Sequence, residues 1–291
     1  MKSSDQILVP TNYSAQSTIA LEQSYNLARL TKSEITLLNV MEEDLLSPLV
    51  RLLSKRHQDG EFVKLIQKKV NDLAQKSARD AKVKINTLVM RGKVYEEIVK
   101  AAKTLKAKFI VMATSDSGSF IGSNTLRVVR EAPCPVITIG GSVHRPGCKN
   151  IVLPLDLTKE TNEKVSEAIE IAGYFGSAIR VVSLVDTDDE FIVNKLKRHL
   201  SQVKEFIKSK GVTCTGEMIK GHDVAKSIID YAKKVKADLI MIMTQQEINF
   251  TQFFIGSAAQ QIINHSDIPV LSIHPSGKEY STSYSSTSLY S

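Results

Sequence analysis

One tetrapeptide, Phe-Ile-Gly-Ser, occurs at residues 120–123 and again at 254–257. Thirteen residues past each glycine stands a proline that opens a short apolar run, Pro135 before "VITI" and Pro269 before "VLSI". The echo extends to the beginning of each half. "QILVPTNYS" (6–14) and "NIVLPLDLT" (150–158) are both apolar runs that end in proline, a polar residue and a hydroxyl. Such a run is expected of a buried strand that delivers the chain to a helix N-cap. A chain built this way is constrained to fold as two copies of one plan.

Each copy reads as an alternation. An amphipathic stretch follows the first strand ("AQSTIALEQSYNLARLTK", "KETNEKVSEAIEIAGYFG"), then a second apolar run ("EITLLNV", "AIRVVSLV"). Lysine-rich helical segments come next (61–80 and 189–210), then strands that end at Gly92 and Gly221. Helical "VYEEIVKAAKTLK" and "VAKSIIDYAKKVK" precede "KFIVMA" and "DLIMIM", and a short helix and the Pro-Val strand close each unit. Strands that are apolar throughout and alternate with helices predict a parallel sheet covered on both faces. The expected fold class is therefore α/β, with two tandem doubly wound parallel-sheet domains at residues 1–140 and 149–275. The segment "GGSVHRPGC" (140–148) is read as the linker. The Ser/Thr/Tyr-rich stretch 276–291 is read as a disordered tail.

Composition narrows the function classes. A chain of 291 residues with 42% hydrophobic residues can bury two cores. Its net charge of +7 is spread along helical stretches such as "NKLKRHLSQVKEFIKSK". That pattern predicts solvated helix faces and no nucleic-acid partner. Cys134, Cys148 and Cys214 are far apart and odd in number, which does not suit a disulfide framework. The pair His144 and Cys148 is read as linker; it has no second ligand pair beside it. "MKSSDQILVP" holds no long apolar segment, and no stretch reaches the ~20 apolar residues of a membrane span. A cytoplasmic protein that avoids membranes is expected.

These residues carry a resemblance. Strand–Pro–x–Asp–x–Ser/Thr at the start, with Gly-Ser and a Pro-Val strand at the end, resemble the universal stress protein family in its tandem, two-domain form. The resemblance covers residues ~5–140 and ~149–275. It implies a Rossmann-like fold of the adenine nucleotide α-hydrolase type. It also implies that the halves form a pseudo-dimer within the chain through their final strands, with a homodimer and unidentified protein partners as further associations. Ligand-binding members carry G-x2-G-x9-G-(S/T) after the fourth strand and an acidic residue after the first. Small residues there let backbone N–H groups approach phosphate oxygens at a helix N-terminus.

Against that pattern the two halves differ. In the first, Ala113 and Asp116 stand at the first two glycine positions, Asn12 replaces the acid, and only five residues separate Asp116 from Gly122. This site is read as degenerate, with Gly122 and Ser123 serving as a helix cap. In the second half, nine residues separate Gln246 from Gly256, and Asp156 is present, although Met243 and Gln246 replace two glycines. The expectation is weak binding of ATP or another adenine nucleotide in the second half, beside Asp156, Val185, Gly221, Gly256 and Ser257. Plain structural roles compete at each position: a turn former at Asp156, a core residue at Val185 (as at Val40), a tight turn at Gly221 (as at Gly92). His222 is read as an exposed turn residue. No metal ligand is expected, and no catalytic residue can be argued from spacing.

Three functions stay open on these grounds. The first is a non-enzymatic stress-response regulator that acts through protein partners. The second is an ATP-binding switch of the same fold. The third is a weak ATPase, which needs carboxylates to hold a metal and a group to position water. An enzyme is the least expected of the three.

Overall fold

The structure, a computed structural model, describes residues 5–42, 59–114, 123–142, 145, 147–155, 161–246, 253–254 and 256–274. The chain divides into an N-terminal unit, Met1–His144, and a C-terminal unit, Arg145–Ser291. The expected tail at 276–291 lies outside the described residues.

The N-terminal unit runs β1 (Gln6–Pro10), α1 (Ala15–Thr31), β2 (Glu34–Met41), α2 (Asp59–Ala81), β3 (Ile85–Arg91), α3 (Val94–Leu105), β4 (Phe109–Ala113), α4 (Ser123–Glu131) and β5 (Val136–Ile139). Its strands pair in parallel in the order β3-β2-β1-β4-β5. The C-terminal unit runs β6 (Asn150–Leu155), α5 (Thr161–Phe175), β7 (Ala178–Val185), α6 (Glu190–Ser209), β8 (Cys214–Lys220), α7 (Val224–Lys234) and β9 (Leu239–Met243). After a two-residue ribbon, β10 (Gln245–Gln246) with β11 (Phe253–Phe254), come α8 (Ser257–His265) and β12 (Val270–Ile273). Here the parallel order is β8-β7-β6-β9-β12, the same plan.

The repeated tetrapeptide thus introduces a nine-residue helix in each unit, and each helix begins on its serine. The two proline carbonyls do the same work: Ile110 N donates to Pro135 O at 3.0 Å, and Ile240 N donates to Pro269 O at 2.9 Å. Pro10 pairs with Leu38 and Pro154 with Val182, so the first two strands of each unit share one register.

The first strands are buried because helices cover both sheet faces. Ile7, Leu8 and Val9 are fully buried, as are Ile151, Val152 and Leu153. The helices supply alanine and leucine to these faces, for instance Ala20 and Leu21 on α1. Their starts are capped: Ser14 accepts from Ser17 N at α1, Asp189 from Phe191 N at α6, and Asp223 from Lys226 N at α7.

At the amino-terminal end of the N-terminal sheet, one carboxylate joins three strands. Glu34 on β2 accepts from Gln6 on β1 at 3.2 Å, from Asn86 on β3 at 2.9 Å and from Lys84 at 3.0 Å. The C-terminal unit uses a cation there: Arg180 on β7 donates to Asn150 on β6 and to Thr215 on β8, both at 3.0 Å.

The amide of Asn86, and then the Lys84 ammonium, hold the Glu34 carboxyl below the ordinary 4.5. A depressed carboxylate contributes stability above its unfolded value and loses it as the pH falls through the folded one. Glu34→Gln is therefore expected to lower stability at pH 7 by about 1 kcal/mol, since the group is partly exposed. The gap to wild type should close on acidification below that range. Urea melts at several pH values check this; a gap that stays constant in acid refutes it.

Candidate functional site

In each unit the strand order turns between the first and fourth strands. The connection from β1 leads one way to β2, and β4 lies on the other side of β1. The pairing at this turning point is short. β1 meets β4 only at Ile7–Phe109 and Leu8–Ile110, and β6 meets β9 only at Ile151–Leu239 and Val152–Ile240. Beyond those residues the carboxyl ends separate, and a crevice opens there, where doubly wound sheets bind ligands.

In the N-terminal unit the crevice is a cavity of about 480 Å³. Leu38, Val40, Ile98 and Met112 give it apolar walls, and Thr11, Asn12, Ser14, Thr114, Asn124 and Thr125 give it hydroxyls and amides. In the C-terminal unit the corresponding cavity is about 180 Å³. Small-molecule sites commonly measure roughly 300–1,000 Å³. The larger space therefore lies in the half whose glycine pattern is the more eroded.

Equivalent positions explain the difference. The same hydrogen bond, Ser33 N to Ala28 O and Ser177 N to Ala172 O, ends the first helix of each unit. Together with the Pro10 and Pro154 registers it places Lys164 where the N-terminal unit has Ala20, and Leu184 where it has Val40. Ala113 and Met243 are likewise equivalent, being paired with Ile139 and Ile273. Three larger side chains thus narrow the second cavity. Lys164 is only 5% exposed, and its amine donates to Pro154 O at 3.2 Å. The polar rim also changes. Asn124 and Thr125, in the first turn of α4, correspond to Ala258 and Ala259 in that of α8, and Thr11 corresponds to Leu155.

The expected site residues separate in space. Asp156, Asp116 and Gly122 lie outside the described residues. Gly256 caps α8 and lines the C-terminal cavity. Ser257 follows it but is exposed and does not line the cavity. Val185 is buried and is not at the cavity either; Leu184 is. The register accounts for this, since Val185 is the counterpart of Met41 and side chains alternate between sheet faces. Gly221 ends β8, and its N–H donates to Val185 O at 3.2 Å, as Gly92 N donates to Met41 O at 3.1 Å. It too lies off the cavity lining. His222 is exposed. The stretch between Met243 and Gly256, which carries the nine-residue spacing, pairs its own ends in the β10–β11 ribbon.

In the N-terminal unit the loop after β1 turns inward on itself. Tyr13 N donates to Thr11 Oγ1, Ser14 N to Asn12 Oδ1 and Ser17 N to Ser14 Oγ, each at 3.1 Å. Asn12 therefore acts as a turn former. Asn39 Nδ2 holds Thr11 O at 2.8 Å from the second strand. Thr125, Asn124 and the loop fold were not legible as a site in the sequence, where only the glycine spacing was diagnostic.

Other chemistry is sparse among the described residues. No group of three His, Cys, Asp or Glu side chains could hold a metal ion there, and no helix is long and apolar enough to cross a membrane. Burial pushes the Cys134 and Cys148 thiols up to about 12 and that of Cys214 to about 11, so none is a thiolate at neutral pH.

The family model described as "Universal stress protein family" matches residues 4–140 and again 147–274. A universal stress protein of Methanocaldococcus jannaschii is 30% identical over 145 residues, 45% of this chain and 85% of that protein. The fold is like that of the crystal structure of a universal stress protein from Archaeoglobus fulgidus. That likeness has a TM-score of 0.75 at 19% identity and covers 94% of this chain and 97% of that one. A second crystal structure, from Pseudomonas aeruginosa, gives a TM-score of 0.68 at 18% identity over 94% of both chains.

The two turn glycines are equivalent in place but not in cause. Gly92 has φ +148°, a conformation that strains any side chain, and a Cβ there would meet Glu97 Cγ at 3.0 Å. At Gly221 a Cβ would overlap Ser227 Oγ, which can rotate away. Gly92→Ala should cost about 1–3 kcal/mol, and Gly221→Ala distinctly less, with Ser227→Ala restoring most of that loss. Equal costs in chemical denaturation would contradict this assignment.

Proposed function

We propose, for a chain that belongs to the universal stress protein family, the role of a non-enzymatic stress-response regulator whose state is set by an adenine-based ligand and whose output is contact with other proteins. The observation that carries this reading is the crevice of about 480 Å³ at the turning point of the N-terminal sheet, apolar on its walls and polar at its rim. Family membership supports the ligand class, and the crevice supports the N-terminal unit as its place. A ligand that binds only the folded state raises apparent stability, by about 2.7 kcal/mol at a hundredfold excess over Kd. Melting the full chain with ATP, AMP and adenosine should therefore raise the midpoint by several degrees for at least one of them. Ala113→Met, which copies the narrowed C-terminal cavity, should abolish the rise, while Asp156→Ala should leave it. No rise with any of the three would remove the ligand from this reading.

Gly256 at the rim of the C-terminal cavity and the buried Lys164 amine beside it favour a second reading: weak adenine-nucleotide binding in that unit, with Asp156, Gly256 and Ser257. On that reading Asp156→Ala removes the rise and Ala113→Met does not. An ATP-driven switch or weak ATPase of the same fold would in addition release phosphate, which the same samples report.

We propose, from the family resemblance, that the two halves pair within the chain along β5 and β12. Each is a four-residue apolar strand at one end of its own unit's order, and bare edges of this kind invite aggregation. The backbone amides of these strands that point away from β4 and β9 should then resist hydrogen exchange. Exchange at the rate of an unstructured peptide would refute the pairing.

A further inference from the structure

From the polar groups that line the N-terminal crevice, we infer that it takes an uncharged, nucleoside-sized ligand, a heteroaromatic base bearing a hydroxylated group, in preference to any phosphorylated form. This rests on the ligand-responsive reading above and deepens it by naming the ligand's charge.

Three observations carry the inference. First, several backbone donors of the loop after β1 are already committed. The N–H groups of Tyr13, Ser14 and Ser17 bond to Thr11, Asn12 and Ser14 side chains, and Thr18 N bonds to Ser14 O at 3.1 Å. A phosphate there would have to break this cap before gaining a partner.

Second, the described lining of the cavity offers no cationic side chain. Its lining residues include no lysine, arginine or histidine. Placing a nucleotide's negative charges in this lining, without a cationic side chain to compensate them, is electrostatically unfavourable. The C-terminal unit differs here, since Lys164 borders its cavity.

Third, neutral hydrogen-bonding capacity remains on the opposite rim. Asn124 and Thr125 line the cavity, and neither side chain hydrogen-bonds to another described residue. Thr125 is 4% exposed. An amide and a hydroxyl can donate and accept toward sugar hydroxyls or ring nitrogens. Val40, Ile98 and Met112 supply the apolar surface on which a flat base can rest. Loss of a buried hydrogen-bond partner discriminates strongly between related ligands.

Isothermal titration of the full chain with adenosine, guanosine, cytidine and uridine, and with the mono- and triphosphate of each, tests this. At least one nucleoside should bind at least about tenfold more tightly than its phosphorylated forms. Thr125→Val and Asn124→Ala should each weaken that binding about tenfold or more, and Ala113→Met should remove it. Melting of each variant without ligand shows whether it is folded; the nucleoside preference of the unmodified chain stands as a test without them. A nucleotide that binds as tightly as its nucleoside, or better, overturns the inference but leaves the ligand-responsive reading intact. Nucleoside binding that survives Ala113→Met and Thr125→Val overturns the placement in this crevice. Failure of every nucleoside and nucleotide to bind overturns both readings together.

Discussion

The two-residue pairing between first and fourth strands is the constraint on which each unit depends. Ile7 and Leu8 hold β1 against β4, and Ile151 and Val152 hold β6 against β9. These residues are fully buried, so the contact is a hydrophobic one as much as a hydrogen-bonded one. Because it is so short, the strands diverge immediately past it, and the crevice opens at their carboxyl ends. A longer ladder would extend the sheet and close the place where the helix starts, the loop after the first strand and the fourth strand converge.

Duplication preserved this frame and released the rest. Backbone features recur at equivalent places: the proline carbonyls, the helix-ending bonds to Ala28 and Ala172, and the Gly92 and Gly221 amides on the second strand. At the amino-terminal edge different side chains tie the strands together. Glu34 ties three strands as an acceptor, and Arg180 ties three as a donor. At the carboxyl-terminal edge the exchanges changed what the crevice can hold. Ala20, Val40 and Ala113 of the N-terminal unit correspond to Lys164, Leu184 and Met243 of the C-terminal unit, with a fall in volume from about 480 to about 180 Å³.

Glycine spacing proved a poor guide to which crevice is open. Loop length sets how far a chain can reach around a phosphate, but space is set by the side chains behind the loop. Lys164 and Leu184 come from elements far from the glycines in sequence, so no local motif records their effect. The stretch with the longer spacing commits its ends to the β10–β11 ribbon. In the unit with the shorter one, the loop after β1 satisfies its own amides through Thr11, Asn12 and Ser14.

The order of strands and helices, the repeat and the parallel sheets were legible in the sequence because they follow from periodicity and punctuation. Apolar runs such as 7–9 and 151–153 announce buried strands, and the paired prolines and glycines mark where they end. Face and register were not legible in this way. Val185 was expected beside a ligand, yet it is Leu184 that lines the cavity, because a shift of one residue along a strand reverses the side-chain direction. Likewise Asn124 and Thr125 read as ordinary helix residues until the fold brings the first turn of α4 over the crevice. Local propensity determined which elements exist; only packing across the sheet decided which side chains meet around an empty space, and how much space they leave.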